Sequence, residues 1–270
     1  MNNFVKRTLS GFIYVALIIG SILLSQYTFA AFFALICGLA VHEFHKLTNL
    51  QSAVDVNSEI AFVGGILLFF CAFVYKSGVL PYTVFSVYGF YVILILVLEL
   101  YRKKSNPLNN WAYFIMGQFF VALPFTLLNY IIFIEDYQPI ILLAVFITIW
   151  INDTGAYLVG VTLGKHRLFE RISPKKSWEG FVGGAIAAIL SGYVFSLLIP
   201  RISLFNWLIF SEIIVVFGTF GDLIESLMKR TVNVKDSGKI IPGHGGLLDR
   251  FDSMLLAAPV IYVYLSFLFK

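Results

Sequence analysis

Charge is scarce in this chain. Asp, Glu, Lys and Arg make up 13% of its 270 residues, about half of the roughly 25% usual in a soluble domain. So few charges cannot cover a water-facing exterior, which excludes a soluble globular protein. Cysteine is rarer still. Cys37 and Cys71 lie in apolar segments with no partner at metal-ligand spacing, which excludes a disulfide framework and a structural zinc site. The short alternating segments of a membrane β-barrel are missing, as are internal repeats and low-complexity tracts. There is no Walker lysine pattern and no dinucleotide fingerprint. No soluble reading module accompanies the net charge of +4, so nucleic acid is excluded as a partner.

What the chain has is oil: 59% hydrophobic and 17% aromatic residues. Apolar runs long enough to cross a bilayer recur throughout, at about 9–25, 27–44, 60–76, 81–101, 111–134, 139–163, 180–199, 204–228 and 251–269. The expectation is an all-α, polytopic integral membrane protein of nine helices, forming a single membrane domain over 1–270. The first run follows Lys6 and Arg7 in the manner of a signal peptide, but no small-residue cleavage site follows, so it is read as a retained helix. All but three of the 19 basic residues (Lys76, Arg201 and Lys270) fall on one side of this arrangement. The positive-inside rule then puts the N-terminus in the cytoplasm and the C-terminus outside. The basic face would attract anionic lipid headgroups and nucleotide phosphates alike.

Against this background the ionisable residues inside spans need a reason, because they are costly there and usually face a cavity or a partner. Asp153, Asp222, Glu225 and Asp252 qualify, with Asp249 at the membrane edge. In "GDLIESLMKR", Asp222, Glu225 and Lys229 stand at i, i+3 and i+7 and share one helical face; Asp249 and Asp252 in "LLDRFDS" are likewise three apart. The eighth helix runs toward the cytoplasm and the ninth away from it, so these carboxylates can meet at similar depth. Glu225 and Lys229 alone would be an ordinary helical ion pair, and Asp249 an ordinary helix-start acid. Four carboxylates at one depth, beside cations, suit Mg²⁺, a hard ion often shared with substrate phosphates.

The segment "PGHGGLLDR" precedes a helix start, where backbone N–H groups can wrap an anion. Lys229, Arg230, Lys235, Lys239 and Arg250 lie nearby and could grip a triphosphate. Upstream, Asn152 and Asp153 sit within a span, and Gly155, Gly160 and Gly164 permit close helix packing. The stretch "SPKKSWEG" reads as a loop entering a helix, with Lys175 and Lys176 as candidates for phosphate or phospholipid contact. The "HEFH" at His42–His45 is not the zinc-protease pattern, since its histidines are three apart, and is read as a cytoplasmic helix end.

Read continuously, "SLMKRTVNVKDSGKIIPGHGGLLDRFD" (226–252) resembles the signature of the phosphatidate cytidylyltransferases, also called CDP-diacylglycerol synthases. Every constrained position of that pattern is met, from Ser226 through Lys229, Arg230, Lys235, Asp236, Gly238, Pro242 and His244 to Asp252. "GDLIES" just before it and "NDTGAY…SPKKSWEG" upstream also resemble the family, so the matching motifs span about 150–252, and helices 1–138 are expected to act mainly as scaffold. The resemblance implies that CTP and phosphatidate react to give CDP-diacylglycerol and diphosphate. It further implies a Mg²⁺ requirement, a homodimer, and a site on the cytoplasmic side of a bacterium's inner membrane, among membrane lipids. It makes Asp222 and Asp249 metal ligands, with Asp252 and Glu225 as further candidates. Lys229, Arg230, Lys235, Asp236 and His244 join Asp222 and Asp249 in the catalytic set. Ser226, Gly245, Gly246 and Arg250 would line the nucleotide, and Ser173, Lys175 and Lys176 would position either substrate. Asn152 and Asp153 are candidates for supporting these ligands or holding a second cation. An ion-coupled transporter would need paired broken helices in two repeated halves, which the sequence does not contain. The CDP-alcohol phosphatidyltransferases space their last aspartates four apart rather than three.

Overall fold

The computed structural model describes residues 3–238, 240 and 245–269. Helices follow one another almost without interruption: α1 (Asn3–Leu24), α2 (Gln26–Thr48), α3 (Ser58–Lys76), α4 (Phe85–Tyr101), α5 (Pro107–Gly117) and α6 (Leu123–Ile132). Then come α7 (Pro139–Leu163), α8 (Trp178–Leu198), α9 (Leu204–Thr231) and α10 (Leu248–Leu268). Among the described residues, eight helical segments are long and apolar enough to cross a membrane, and Thr8–Leu24 is a shorter apolar helix. This is an integral membrane protein with multiple spans.

The helix starts are written locally. Ser25 accepts from Thr28 N–H while the Thr28 hydroxyl accepts from Ser25 N–H, a reciprocal capping box. Asn57, Asn106, Ser177 and Ser203 cap α3, α5, α8 and α9 in the same sense, each with its side-chain oxygen. Leu247, at the start of α10, has no such oxygen to offer.

Three elements differ from the sequence expectation. The expected span 111–134 is two helices, α5 and α6, joined by one wide π turn at Gln118–Ala122. Pro124 follows at the start of α6 and brings no N–H to a regular ladder, so the turn widens there. The expected loop before α8 holds a two-stranded antiparallel hairpin, β1 (Arg167–Phe169) and β2 (Ser173–Ser177), with Arg167 opposite Ser177. The hairpin pairs backbone groups that a bare loop would leave open. Finally, α2 continues to Thr48, four residues beyond the expected span, so "HEFH" lies in its last two turns, with Glu43 and His45 buried.

Packing joins the two halves of the chain. Phe33 of α2 meets Phe146 of α7, and Phe251 of α10 meets both Phe146 and Phe125 of α6. Helix α7 lies along α8, α9 along α10, and α2 along α3. The α7–α8 seam is made of small residues: a Cβ on Gly184 would stand 2.5 Å from Asn152 Oδ1 and 2.9 Å from its carbonyl oxygen. Helix α4 turns Val87, Phe90, Ile93 and Val97 outward, as a bilayer-facing surface does, and buries only Glu99.

Candidate active site

Two cavities adjoin at the end of the bundle formed by α7, α9 and α10. The polar one, of about 440 Å³, is lined by Asp153 from α7, Asp222 from α9, and Asp249 and Asp252 from α10. The cations Lys229, Arg230, Lys235 and Arg250 share its wall with Asp236. The sequence spacing explains the convergence: α9 runs into the loop and α10 runs back from it, so acids near the end of one helix meet acids at the start of the other. Asp153, Asp222 and Asp252 thus share one cavity wall from three different helices.

The second cavity, of about 580 Å³, lies between α7, α8 and the hairpin. Ala156, Tyr157, Val161, Leu168 and Phe181 make it apolar, and Lys175, Lys176 and Arg167 stand at its polar end. Its wall includes Asp153, Asp222 and Ser253, which also line the first cavity. One set of side chains therefore separates an oily chamber from a charged one.

The acids are already engaged. Lys176 Nζ reaches across from the hairpin to Asp222 Oδ2 at 2.5 Å, and Ser226 Oγ donates to Asp222 Oδ1 at 3.2 Å. Lys229 bridges Glu225 and Asp249, with Nζ 2.5 Å from Asp249 Oδ1. The other Asp249 oxygen accepts from Ser237 N at 2.9 Å and Gly246 N at 2.8 Å, with Ser237 Oγ 3.0 Å away. Leu247 N and Leu248 N both donate to Glu43 at 3.0 Å. The N–H groups of residues 246–248, at the helix start expected to wrap a substrate anion, here donate to the protein's own carboxylates.

The fit to a divalent cation follows from these donors. Among the described residues, no three His, Cys, Asp or Glu are already grouped as ligands. Mg²⁺ commonly takes one or two carboxylates and completes its shell with water and phosphate oxygens. Asp222, Asp249 and Asp252 on one cavity wall suit that mode, and two of them carry a lysine ammonium where a cation would be drawn. The donor set fits a shared ion, not a closed protein cage.

Of the remaining expected residues, Lys175 and Lys176 line the apolar cavity, while Lys229, Arg230, Lys235, Asp236 and Arg250 line the polar one. Ser226 touches Asp222 without lining either cavity. Glu225, 1% exposed, lies behind Lys229 and also lines neither. Ser173 opens β2 opposite Phe169 and lines neither cavity. Gly245 takes φ +82°, a left-handed turn that suits glycine, beside Asp249. His244 falls outside the described residues. Sequence reasoning missed Tyr14 and Trp150, which line the polar cavity, and Glu43. Tyr14 sends its hydroxyl to the Arg250 carbonyl at 3.1 Å. A lone Tyr or Trp in an oily span carries no signal of its own. Glu43 did carry one, being an acid at the end of an apolar run.

Residues 5–268 match the family described as the cytidylyltransferase family. The chain belongs to that family. It is 38% identical over 181 residues to a phosphatidate cytidylyltransferase of Bacillus subtilis (strain 168), an alignment covering 66% of each chain. It is 46% identical over 125 residues to a phosphatidate cytidylyltransferase of Staphylococcus saprophyticus, covering 46% of this chain and 48% of that one. The alignments thus span about half to two thirds of the length of these curated relatives.

Proposed function

We propose that the protein is a phosphatidate cytidylyltransferase that transfers CMP from CTP to phosphatidate, giving CDP-diacylglycerol and diphosphate. The observation that carries this reading is the shared wall. A lipid with its acyl chains in the apolar cavity and a nucleotide in the polar one would bring their phosphates together at Asp153, Asp222 and Ser253. The family match and the curated relatives support the same substrates.

Phosphatidate carries a phosphate monoester that is already anionic at neutral pH, so its oxygen needs no strong general base to attack the α-phosphorus of CTP. The new bond joins that oxygen to the α-phosphorus, the α–β bridging bond breaks, and diphosphate leaves with the electron pair. Lys175 and Lys176 are placed to hold the lipid phosphate. Lys229, Arg230, Lys235 and Arg250 are placed to hold the triphosphate and to neutralise the departing diphosphate. Asp222, Asp249 and Asp252 would hold Mg²⁺, which when bound neutralises phosphate charge and aligns the reacting groups. Lys176 and Lys229, released from Asp222 and Asp249, become available to phosphate oxygens. Glu225 serves as the buried counter-ion of Lys229. Asn152, whose side chain lies beside Asp153, steadies that acid. We further place the site on the cytoplasmic side of a bacterial inner membrane and take the assembly to be a homodimer.

Purified protein given CTP labelled at the α-phosphorus should move label into lipid only when phosphatidate and Mg²⁺ are both present. Asp222→Asn and Asp249→Asn should insert normally and lose that turnover by a factor of about 10² or more. Labelling without phosphatidate, or full activity in both variants, would overturn the assignment.

A further inference from the structure

Glu43 stands in α2, far from the signature segment in sequence, yet its carboxylate belongs to the loop before α10. One oxygen accepts from Leu248 N at 3.0 Å and from the Ser237 hydroxyl; the other accepts from Leu247 N at 3.0 Å. Glu43 is 3% exposed, and no ion pair among the described residues involves it. A buried carboxylate needs compensation. The three donors supply it, together with the N-terminal end of α10, which has no side-chain cap of its own. The fit is tight: a Cβ on Gly238 or on Gly246 would collide with this carboxylate.

Asp249 grips the same loop from the other side, through Ser237 and Gly246. Two acids, one from each half of the chain, thereby hold Ser237 together with residues 246–248. The clasped residues are flanked by Asp236, Asp249 and Arg250, which line the polar cavity, whereas no described residue of 229–250 lines the apolar one.

We propose that Glu43 is a positioning residue for the nucleotide half of the site, holding Ser237, Leu247 and Leu248 so that Asp249 and Arg250 face the triphosphate. The inference rests on the cytidylyltransferase reading for its choice of ligand. It gives α2 a role beyond that of scaffold. A mere packing residue would weaken the whole protein and move both substrates together; a positioning residue acts on one substrate.

The test uses full-length protein in lipid nanodiscs, with Glu43→Gln, Glu43→Asp and Ser237→Ala. Hydrogen exchange over 236–249 is read without substrate, and the KM values for CTP and phosphatidate are read separately. Glu43→Gln should speed exchange at Leu247 and Leu248 and raise the CTP KM, each by about tenfold, the loss expected for a charged hydrogen bond. The phosphatidate KM should stay within about twofold, a change under a tenfold step's 1.4 kcal/mol. Glu43→Asp should fall between the two proteins. Ser237→Ala, which leaves no buried charge unpaired, should shift both readouts in the same direction by less, and decides the matter if Glu43→Gln does not fold. Unchanged exchange, or both KM values rising together, would overturn the proposal. A wild-type protein that incorporates no CTP would defeat the function reading, while the exchange arm would still decide the clasp.

Discussion

Lys229, 8% exposed, sits between two acids. Its neighbours Glu225 and Asp249 compensate its charge, and it compensates theirs. Removing one member of a buried group leaves the rest uncompensated, at a cost of about 3–5 kcal/mol. Lys229→Met should therefore lower the melting temperature measured in detergent, and Lys229→Met combined with Glu225→Gln should lower it by less than Lys229→Met alone. At this scale the sequence was informative at several of the ionisable residues inside oily runs, by the rule that such a residue needs a partner or a cavity. That rule found Asp153, Asp222, Glu225 and Asp252, and all but Glu225 line the polar cavity. Glu43 obeys the same rule, lying inside the expected span 27–44, but it is masked by "HEFH", which reads as a helix end with histidines at the wrong spacing for zinc. Tyr14 and Trp150 could not be found this way, because their place in the cavity comes from the packing of α1 and α7 against the site.

Among the elements, the seam between α7 and α8 sets the position of Asn152 and Asp153. Gly184 lies against Asn152 with no room for a methyl group. Gly184→Ala should cost about 1–3 kcal/mol through overpacking, seen as a lower melting temperature, and should reduce turnover by displacing the wall that the two cavities share. Helix existence was legible from apolar length, except that α5 and α6 read as one span. Helix ends were not: α9 continues through Lys229 and Arg230 to Thr231, and α10 begins at Leu248. The start of α10 is defined by Glu43 across the fold rather than by any cap beside it. The hairpin was equally hidden. "SPKKS" has neither alternation nor β-branched residues, and it pairs with Arg167–Phe169 because the chain must turn back from α7 into α8.

For the whole molecule, the charge asymmetry makes a topological claim that can be checked independently of activity. Cys37 and Cys71 are both buried, so background labelling by a polar thiol reagent should be low. A cysteine at Lys235 should be labelled from the cytoplasmic side, and one at Gly78 from the opposite side, both positions being exposed. The reverse pattern would put the polar cavity on the wrong face for CTP. The broad architecture was legible because a bilayer imposes its thickness on sequence. The pairing of two cavities was not, since it depends on which faces of α7, α9 and α10 meet. The most direct test of the central claim is binding of Mn²⁺ in place of Mg²⁺, followed by electron paramagnetic resonance in the presence of CTP. One or more ions should bind per chain with coupling to phosphorus, and folded Asp222→Asn should lose that binding. Unaltered Mn²⁺ binding in Asp222→Asn, or a bound ion without phosphorus coupling, would contradict a cation held by these acids between nucleotide and lipid.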